Sequence, residues 1–278
     1  MRWSDCCERR EAPGAVEARK LMRALALFVT TLWAAIVAPA LADGSRLDAI
    51  LERHALRVGT TGDYRPFTAL DKETGEYSGF DIDMARALAK ALGVSIAFAP
   101  TTWSGLAQGL AEGDFDIAMG GVSVTLDRQK IGFFSAPYLR DGKTPIARCS
   151  DQEKFQTLTD IDRPGVKVIA NPGGTNERFD RARLHAADIV VYPDNLTIFD
   201  QLALGSADLM ITDASETRFQ AKLHPGVLCA IHPDQPFDFA EKAYWMVPDP
   251  ALKAFVDQWL HLMKEDGEFD ALFAKWFR

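Results

Sequence analysis

Arg128 stands just after a turn-like segment, residues 119–124, that contains Gly121 and Ser123. Its planar guanidinium could hold a carboxylate through two parallel hydrogen bonds. The plainer possibility is a surface arginine on a short helix, paired with Asp127. Gly173-Gly174-Thr175-Asn176 falls between a strand-like and a helix-like run. Free backbone N–H groups and the helix dipole would make that junction an anion seat, whereas ordinary capping by Thr175 or Asn176 would use the same residues. Tyr64 and Trp103 sit in loops where flat side chains could sandwich a ring, although core packing is the commoner fate of a Trp. Asp213-Ala214-Ser215-Glu216 has the outline of a capping box, and that role alone would account for Glu216. In a cleft, however, a carboxyl is driven toward its neutral form and can serve as a general acid near neutral pH.

These residues need elements to bring them together. From Ser45 onward strand-like and helix-like runs alternate, the pattern of an α/β architecture with parallel strands. The first series predicts strands at 56–60, 94–99 and 115–119, with helices at 81–92 and 103–112. A second series predicts strands at 166–170, 189–192 and 209–211, with helices at 174–184, 195–204 and 213–223. A Pro-rich stretch, 232–237, leads to a strand-like segment at 243–247 and to helices from Pro250 onward. The late strand and terminal helices suit a return to the first lobe. Two crossings and a cleft between lobes follow, and both lobes would present loops at the carboxyl ends of their strands. The expected boundaries are 43–147 with 238–278 for lobe 1 and 148–237 for lobe 2.

The first forty-odd residues differ in kind. Arg19, Lys20 and Arg23 precede the apolar run 24–37, and Ala40-Leu41-Ala42 supplies small residues of the type a signal peptidase accepts. The run is shorter than the ~20 residues needed to cross a bilayer, so a secretory signal peptide cleaved after Ala42 is expected, with no membrane segment after cleavage. Met22 could itself open such a peptide, which makes residues 1–21 a candidate mis-assigned start. Only Cys149 and Cys229 remain beyond residue 42, and an even pair in an oxidising compartment is expected to be bonded. No His lies at ligand spacing from either Cys, so no metal site is expected there. With 31 basic against 39 acidic side chains and no Lys/Arg cluster, a nucleic-acid partner is not expected.

Several stretches resemble the amino-acid type of periplasmic solute-binding protein: Gly62-Asp63-Tyr64-Arg65-Pro66-Phe67, Gly79-Phe80-Asp81-Ile82-Asp83, Asp116-Ile117-Ala118-Met119, Thr125-Leu126-Asp127-Arg128 and Phe134-Ser135-Ala136-Pro137-Tyr138. The resemblance covers nearly all of residues 46–278 and implies a two-lobed, type II periplasmic binding protein-like α/β fold with two crossover strands. Four further stretches are similar to the cyclohexadienyl dehydratases of that superfamily. They are residues 138–145, 171–177, 212–216 and 235–244, among them Asn171-Pro172-Gly173-Gly174-Thr175-Asn176-Glu177 and Thr212-Asp213-Ala214-Ser215-Glu216.

That resemblance implies a periplasmic enzyme, without metal or organic cofactor, that converts prephenate to phenylpyruvate and arogenate to phenylalanine with loss of water and carbon dioxide. It implies that Glu216 matches the proton-donating glutamate, and that Lys143 and Asn171 orient the ring substituents. Tyr64, Trp103, Gly121, Ser123, Arg128, Gly174, Thr175, Asn176 and Asp213 are then candidates to bind the substrate. The rival is a binding protein that delivers an amino acid or carboxylate to a transporter, with Asp213 pairing the ligand's amino group. A two-carboxylate hydrolase fits poorly, because no second acid accompanies Glu216 in a nucleophile motif.

Overall fold

The computed structural model describes residues 44–278, so the expected signal peptide and the alternative start at Met22 lie outside the described residues. In chain order the first run is α1 (Arg46–Arg53), β1 (Ala55–Thr60), a small meander of β2 (Asp63–Tyr64), β3 (Thr68–Leu70) and β4 (Tyr77–Ser78), then α2 (Phe80–Leu92), β5 (Ser95–Pro100), α3 (Leu106–Glu112), β6 (Ile117–Ala118), α4 (Leu126–Gln129), β7 (Phe133–Phe134) and β8 (Leu139–Asp141). The second run is β9 (Lys143–Arg148), α5 (Leu158–Ile161), β10 (Lys167–Ala170), α6 (Thr175–Arg183), β11 (Asp188–Val191), α7 (Ile198–Ala203), β12 (Leu209–Asp213), α8 (Ala214–Leu223) and β13 (Leu228–Ala230). The chain returns through β14 (Ala240–Lys242), β15 (Trp245–Met246), α9 (Pro250–Glu265) and α10 (Glu268–Phe277).

Two five-stranded sheets result, in the orders β5-β1-β6-β15-β7 and β11-β10-β12-β9-β13. β1 pairs in parallel with β5 and β6, as β10 does with β11 and β12, so each lobe keeps a parallel core flanked by antiparallel strands. Between the lobes β8 and β14 pair antiparallel, Asp141 opposite Ala240 and Lys242 opposite Leu139. These are the two crossover strands. β9 belongs to the second sheet, so the first crossing precedes Lys143 and not Arg148, as the expected boundary had it.

The core follows from the two-residue period of a strand, which sends neighbouring side chains to opposite faces. In the second sheet Ile146, Ile169 and Met210 join one apolar cluster with Ile198, Phe199 and Leu202. Their neighbours Ala147, Val168, Leu209 and Ile211 join another with Phe155, Ile161 and Leu184. A sheet covered on both faces explains why these strands read as nearly continuous apolar runs. In the first lobe Phe80, Leu88, Ile117, Tyr244, Trp245 and Leu260 pack into one cluster, so the returning chain completes a core that residues 46–138 begin.

Cys149 and Cys229 are bonded. The bond fastens the segment after β9 to β13, which pairs with β9. Trp103 precedes α3 and is not part of it, the helix starting at Leu106.

Candidate active site

Between the lobes lies a narrow cavity, with free space of about 10 Å³, lined by Tyr64, Trp103, Gly121 and Ser123 from the first lobe, Asn171, Gly174, Thr175, Asn176 and Asp213 from the second, and Lys242 from a crossover strand. Nine of its ten lining residues are ones the sequence singled out. Lys143, Arg128 and Glu216 are not among the lining residues but adjoin them through hydrogen bonds, Lys143 to Thr175, Asn176 and Asp213, Arg128 to the Ser123 carbonyl, and Glu216 through Thr212 to Asn176.

The first-lobe wall is built on tight local geometry. Gly121 has a φ of +72°, and a Cβ there would lie 2.5 Å from the Tyr64 ring, so only glycine allows the aromatic ring to rest against the turn. The Gly121 N–H donates to Asp81 Oδ2 at 2.5 Å, and the Tyr138 hydroxyl donates to the same oxygen at 2.8 Å. Trp103 meets Tyr64 edge-on, with ring centroids 5.5 Å apart, and its indole N–H donates to Asp63 at 3.1 Å. Tyr64 is buried and Trp103 half-buried, so both pack into the lobe while forming cavity wall.

Arg128 is buried rather than a surface arginine, and Asp127 pairs with Lys130 instead. One guanidinium nitrogen donates to the Ser123 carbonyl at 2.8 Å, and the group lies over the Trp245 ring. No carboxylate of the described residues forms an ion pair with it, and Asp213 acts on it only at longer range. Burial, with the like charge of Arg178, lowers its pKa to about 10, which leaves it charged near neutrality. An uncompensated buried cation is unfavourable, and an anion beside Ser123 would relieve it.

On the opposite lobe the N-terminus of α6 points at the cavity. Gly174 is the cap residue and supplies no side-chain cap, while Thr175 and Asn176 lie inside the first turn. The capping role considered for them is therefore not taken. Their side chains face Lys143, whose ammonium donates to Thr175 Oγ1 at 3.0 Å, to Asn176 Oδ1, and to Asp213 Oδ1 at 2.8 Å. The Asn176 amide donates in turn to Asn171 at 3.2 Å and to Thr212 Oγ1 at 2.9 Å.

Asp213 is the hub. Besides Lys143 it accepts from Lys242 at 2.6 Å and from the Tyr64 hydroxyl. Burial alone would raise its pKa, but the two lysines outweigh burial and hold it below the usual carboxylate range. Lys242 also donates to Ser123 Oγ at 2.9 Å. It is completely buried and was not singled out by the sequence. The signal available was a lysine beside the apolar run Ala243-Tyr244-Trp245-Met246-Val247, where a charge must find a partner.

Glu216 is 1% exposed. The capping box outlined by the sequence as the plainer alternative is not formed, since Asp213 gives no side-chain cap to α8 and Glu216 makes no bond back to it. Glu216 Oε2 accepts from Thr212 Oγ1 at 2.6 Å, and Oε1 is buried without a partner. Burial pushes its pKa up to about 8, aided by Asp213 and opposed by the Thr212 bond, Lys242 and Lys143. The group is a neutral, proton-carrying acid at pH 7, linked through Thr212 and Asn176 to the ammonium of Lys143. A strongly perturbed carboxyl beside an inter-lobe cavity marks a candidate site for proton transfer.

Residues 56–278 match the model of the bacterial extracellular solute-binding proteins, family 3. The chain is 55% identical over 249 residues to the cyclohexadienyl dehydratase of Pseudomonas aeruginosa, covering 90% of this chain and 91% of that one. It is 28% identical over 255 residues to an L-cystine-binding protein of Escherichia coli, covering 91% and 94%. Among solved structures, an ancestral amino acid-binding protein described as a precursor of cyclohexadienyl dehydratase matches with a TM-score of 0.77 and 39% identity, over 84% of this chain and all of that one. An ancestral cyclohexadienyl dehydratase matches at 0.53 and 52% identity, over 84% and 97%.

Proposed function

The chain belongs to the family 3 extracellular solute-binding proteins and, within them, to the cyclohexadienyl dehydratases, and from that premise we propose that it converts prephenate to phenylpyruvate and arogenate to phenylalanine. The observation that carries this reading is Glu216, a buried acid that is still protonated at neutral pH and has one oxygen without a protein partner. A protein that only binds and releases a ligand has no use for it.

Prephenate carries two carboxylates and a hydroxyl on a ring one step from aromaticity. Arg128, with Ser123 beside it, takes one carboxylate; the N-terminus of α6 at Thr175 and Asn176 takes the other. Tyr64 and Trp103 cover the ring, and Lys143 and Asn171 orient its substituents. Glu216 gives its proton to the departing hydroxyl, which leaves as water. The bond to the ring carboxylate breaks in the same sense, its electron pair completes the aromatic ring, and carbon dioxide is released. Aromatisation supplies the driving force, so the protein's contribution is positioning, exclusion of water and one proton. Glu216 regains that proton from solvent after each turnover.

The transporter-linked reading requires Asp213 to meet a ligand ammonium. Here both Asp213 oxygens are occupied by Lys143, Lys242 and Tyr64, so such a ligand would have to displace two buried ion pairs. Among the described residues no helix is long and apolar enough to cross a membrane. Export to the periplasm behind a signal peptide ending at Ala42 completes the proposal. The test is direct: purified protein is mixed with prephenate and phenylpyruvate absorbance is followed, with arogenate and phenylalanine assayed beside it. Absence of turnover on both substrates would return the chain to the binding proteins.

A further inference from the structure

Asp213 occupies the N-cap position of helix α8, yet its side chain does not cap the helix because its oxygens are engaged elsewhere. A helix start leaves N–H groups without intrahelical partners. They are met from the end of crossover strand β8. Asp141, the last residue of crossover strand β8, accepts the Ser215 N–H at 3.1 Å on Oδ1 and the Ser215 hydroxyl at 2.5 Å on Oδ2. It also accepts the N–H of Gly142 at 3.0 Å, and the Gly142 carbonyl accepts the Ala214 N–H at 2.9 Å. Burial and the Asp213 charge raise the pKa of Asp141, which is 5% exposed, while Lys242 and the Ser215 bonds oppose that shift; it acts only as an acceptor in all three bonds, the arrangement that suits an ionised carboxylate.

Asp141 also alters the charge count around Glu216. The charged groups facing that acid are Asp213 from β12, Lys143 from β9 and Lys242 from β14. Asp141 from β8 interacts with Asp213 and Lys242, and Tyr64 from β2 interacts with Asp213, Glu216 and Asp141. Burial and those carboxylates keep the Tyr64 hydroxyl neutral. Two anions, Asp141 and Asp213, thus offset two cations, Lys143 and Lys242; further out Asp81 faces Lys242 and Arg128 faces Asp213, one charge of each sign that leaves the balance unchanged. With Glu216 neutral the cluster balances; ionising Glu216 leaves one buried negative charge in excess. Without Asp141 the balance reverses, because an ionised Glu216 would then neutralise the surplus lysine.

We infer that Asp141 is a positioning residue for the acid: it fixes the first turn of the helix that carries Glu216 and, as the second anion of the cluster, keeps Glu216 protonated. One crossover strand thereby governs the protonation of a group on the second lobe. This inference rests on the general-acid role of Glu216 proposed above, but its test does not depend on turnover.

The experiment is a carboxyl-carbon NMR titration of the protein labelled at its glutamates, with the Glu216 signal assigned by its loss in Glu216→Gln. In Asp141→Asn, which keeps an acceptor for Ser215 but removes the charge, the Glu216 midpoint falls by about one pH unit or more. In Ser215→Ala, which removes a hydrogen bond and no charge, it stays in place. If the Asn variant does not fold, Asp141→Ser carries the same expectation. Turnover follows the titration: in Asp141→Asn, kcat at pH 8 drops roughly tenfold relative to its own value at pH 6, beyond any drop in wild type. A midpoint unmoved in Asp141→Asn, or moved equally in Ser215→Ala, overturns the inference. Failure of the wild-type protein to consume prephenate would remove the dehydratase reading and leave the titration result standing.

Discussion

Thr212 and Glu216 are joined by a 2.6 Å hydrogen bond from the threonine hydroxyl to one carboxyl oxygen, across the junction of β12 and α8. The hydroxyl is itself fixed by the Asn176 amide, so its proton points at Glu216 and not at solvent. The other carboxyl oxygen has no protein partner. A carboxylate in this position would be short of donors and would be buried as a charge, whereas the protonated carboxyl is neutral and costs less to bury.

Stability should record that arrangement. The unfolded-state pKa of a glutamate is about 4.3, and the folded value for Glu216 is about 8. Between those values the folded protein binds the extra proton, so stability falls as pH rises through the window and levels off above it. Glu216→Gln, an isostere of the protonated acid, lacks that penalty. Thermal melts should place the variant close to wild type near pH 5 and above it near pH 8, by up to a few kcal/mol. A variant less stable than wild type by the same amount at every pH would contradict this account.

Arg128→Lys preserves charge but loses the fork that holds a carboxylate bidentately. The expected loss is on the order of 2–4 kcal/mol of substrate binding, seen as a raised KM and a lower kcat/KM. A shorter ammonium would also surrender the bond to the Ser123 carbonyl. Unchanged kinetic constants would mean that no substrate carboxylate meets Arg128.

Reducing the Cys149–Cys229 bond should destabilise the second lobe. The bond joins residues 80 apart in sequence, and a cross-link of that span contributes about 2–5 kcal/mol by restricting the unfolded chain. Cys149→Ala with Cys229→Ala should melt several degrees below wild type. Mass spectrometry of the exported protein without reductant should find neither thiol alkylatable.

The alternation of strands and helices was legible because the inner strands of the second sheet are buried on both faces and their apolar runs are correspondingly continuous. The strand Lys143–Arg148 was not. It contains Pro145 and begins and ends with a charge, a poor pattern for an inner strand. Tyr64, Trp103, Gly121 and the start of α6 were legible from loop position and residue type, and they do come together. Lys242 and Asp141 were not, because their significance lies in partners on other elements, 29 and 74 residues away in sequence. Glu216 was legible as an acid only beside the alternative of a capping box; the structure excludes the box by giving the Asp213 side chain to two lysines.

The central claim is that Glu216 supplies the proton on which turnover depends. The most direct measurement is kcat for prephenate by the wild-type protein and by Glu216→Gln, with titration of an unreactive substrate analogue to confirm that the variant still binds. The account predicts a fall in kcat of roughly 10²–10⁴-fold with analogue affinity retained. Activity of Glu216→Gln near that of wild type would place the acid elsewhere and contradict it.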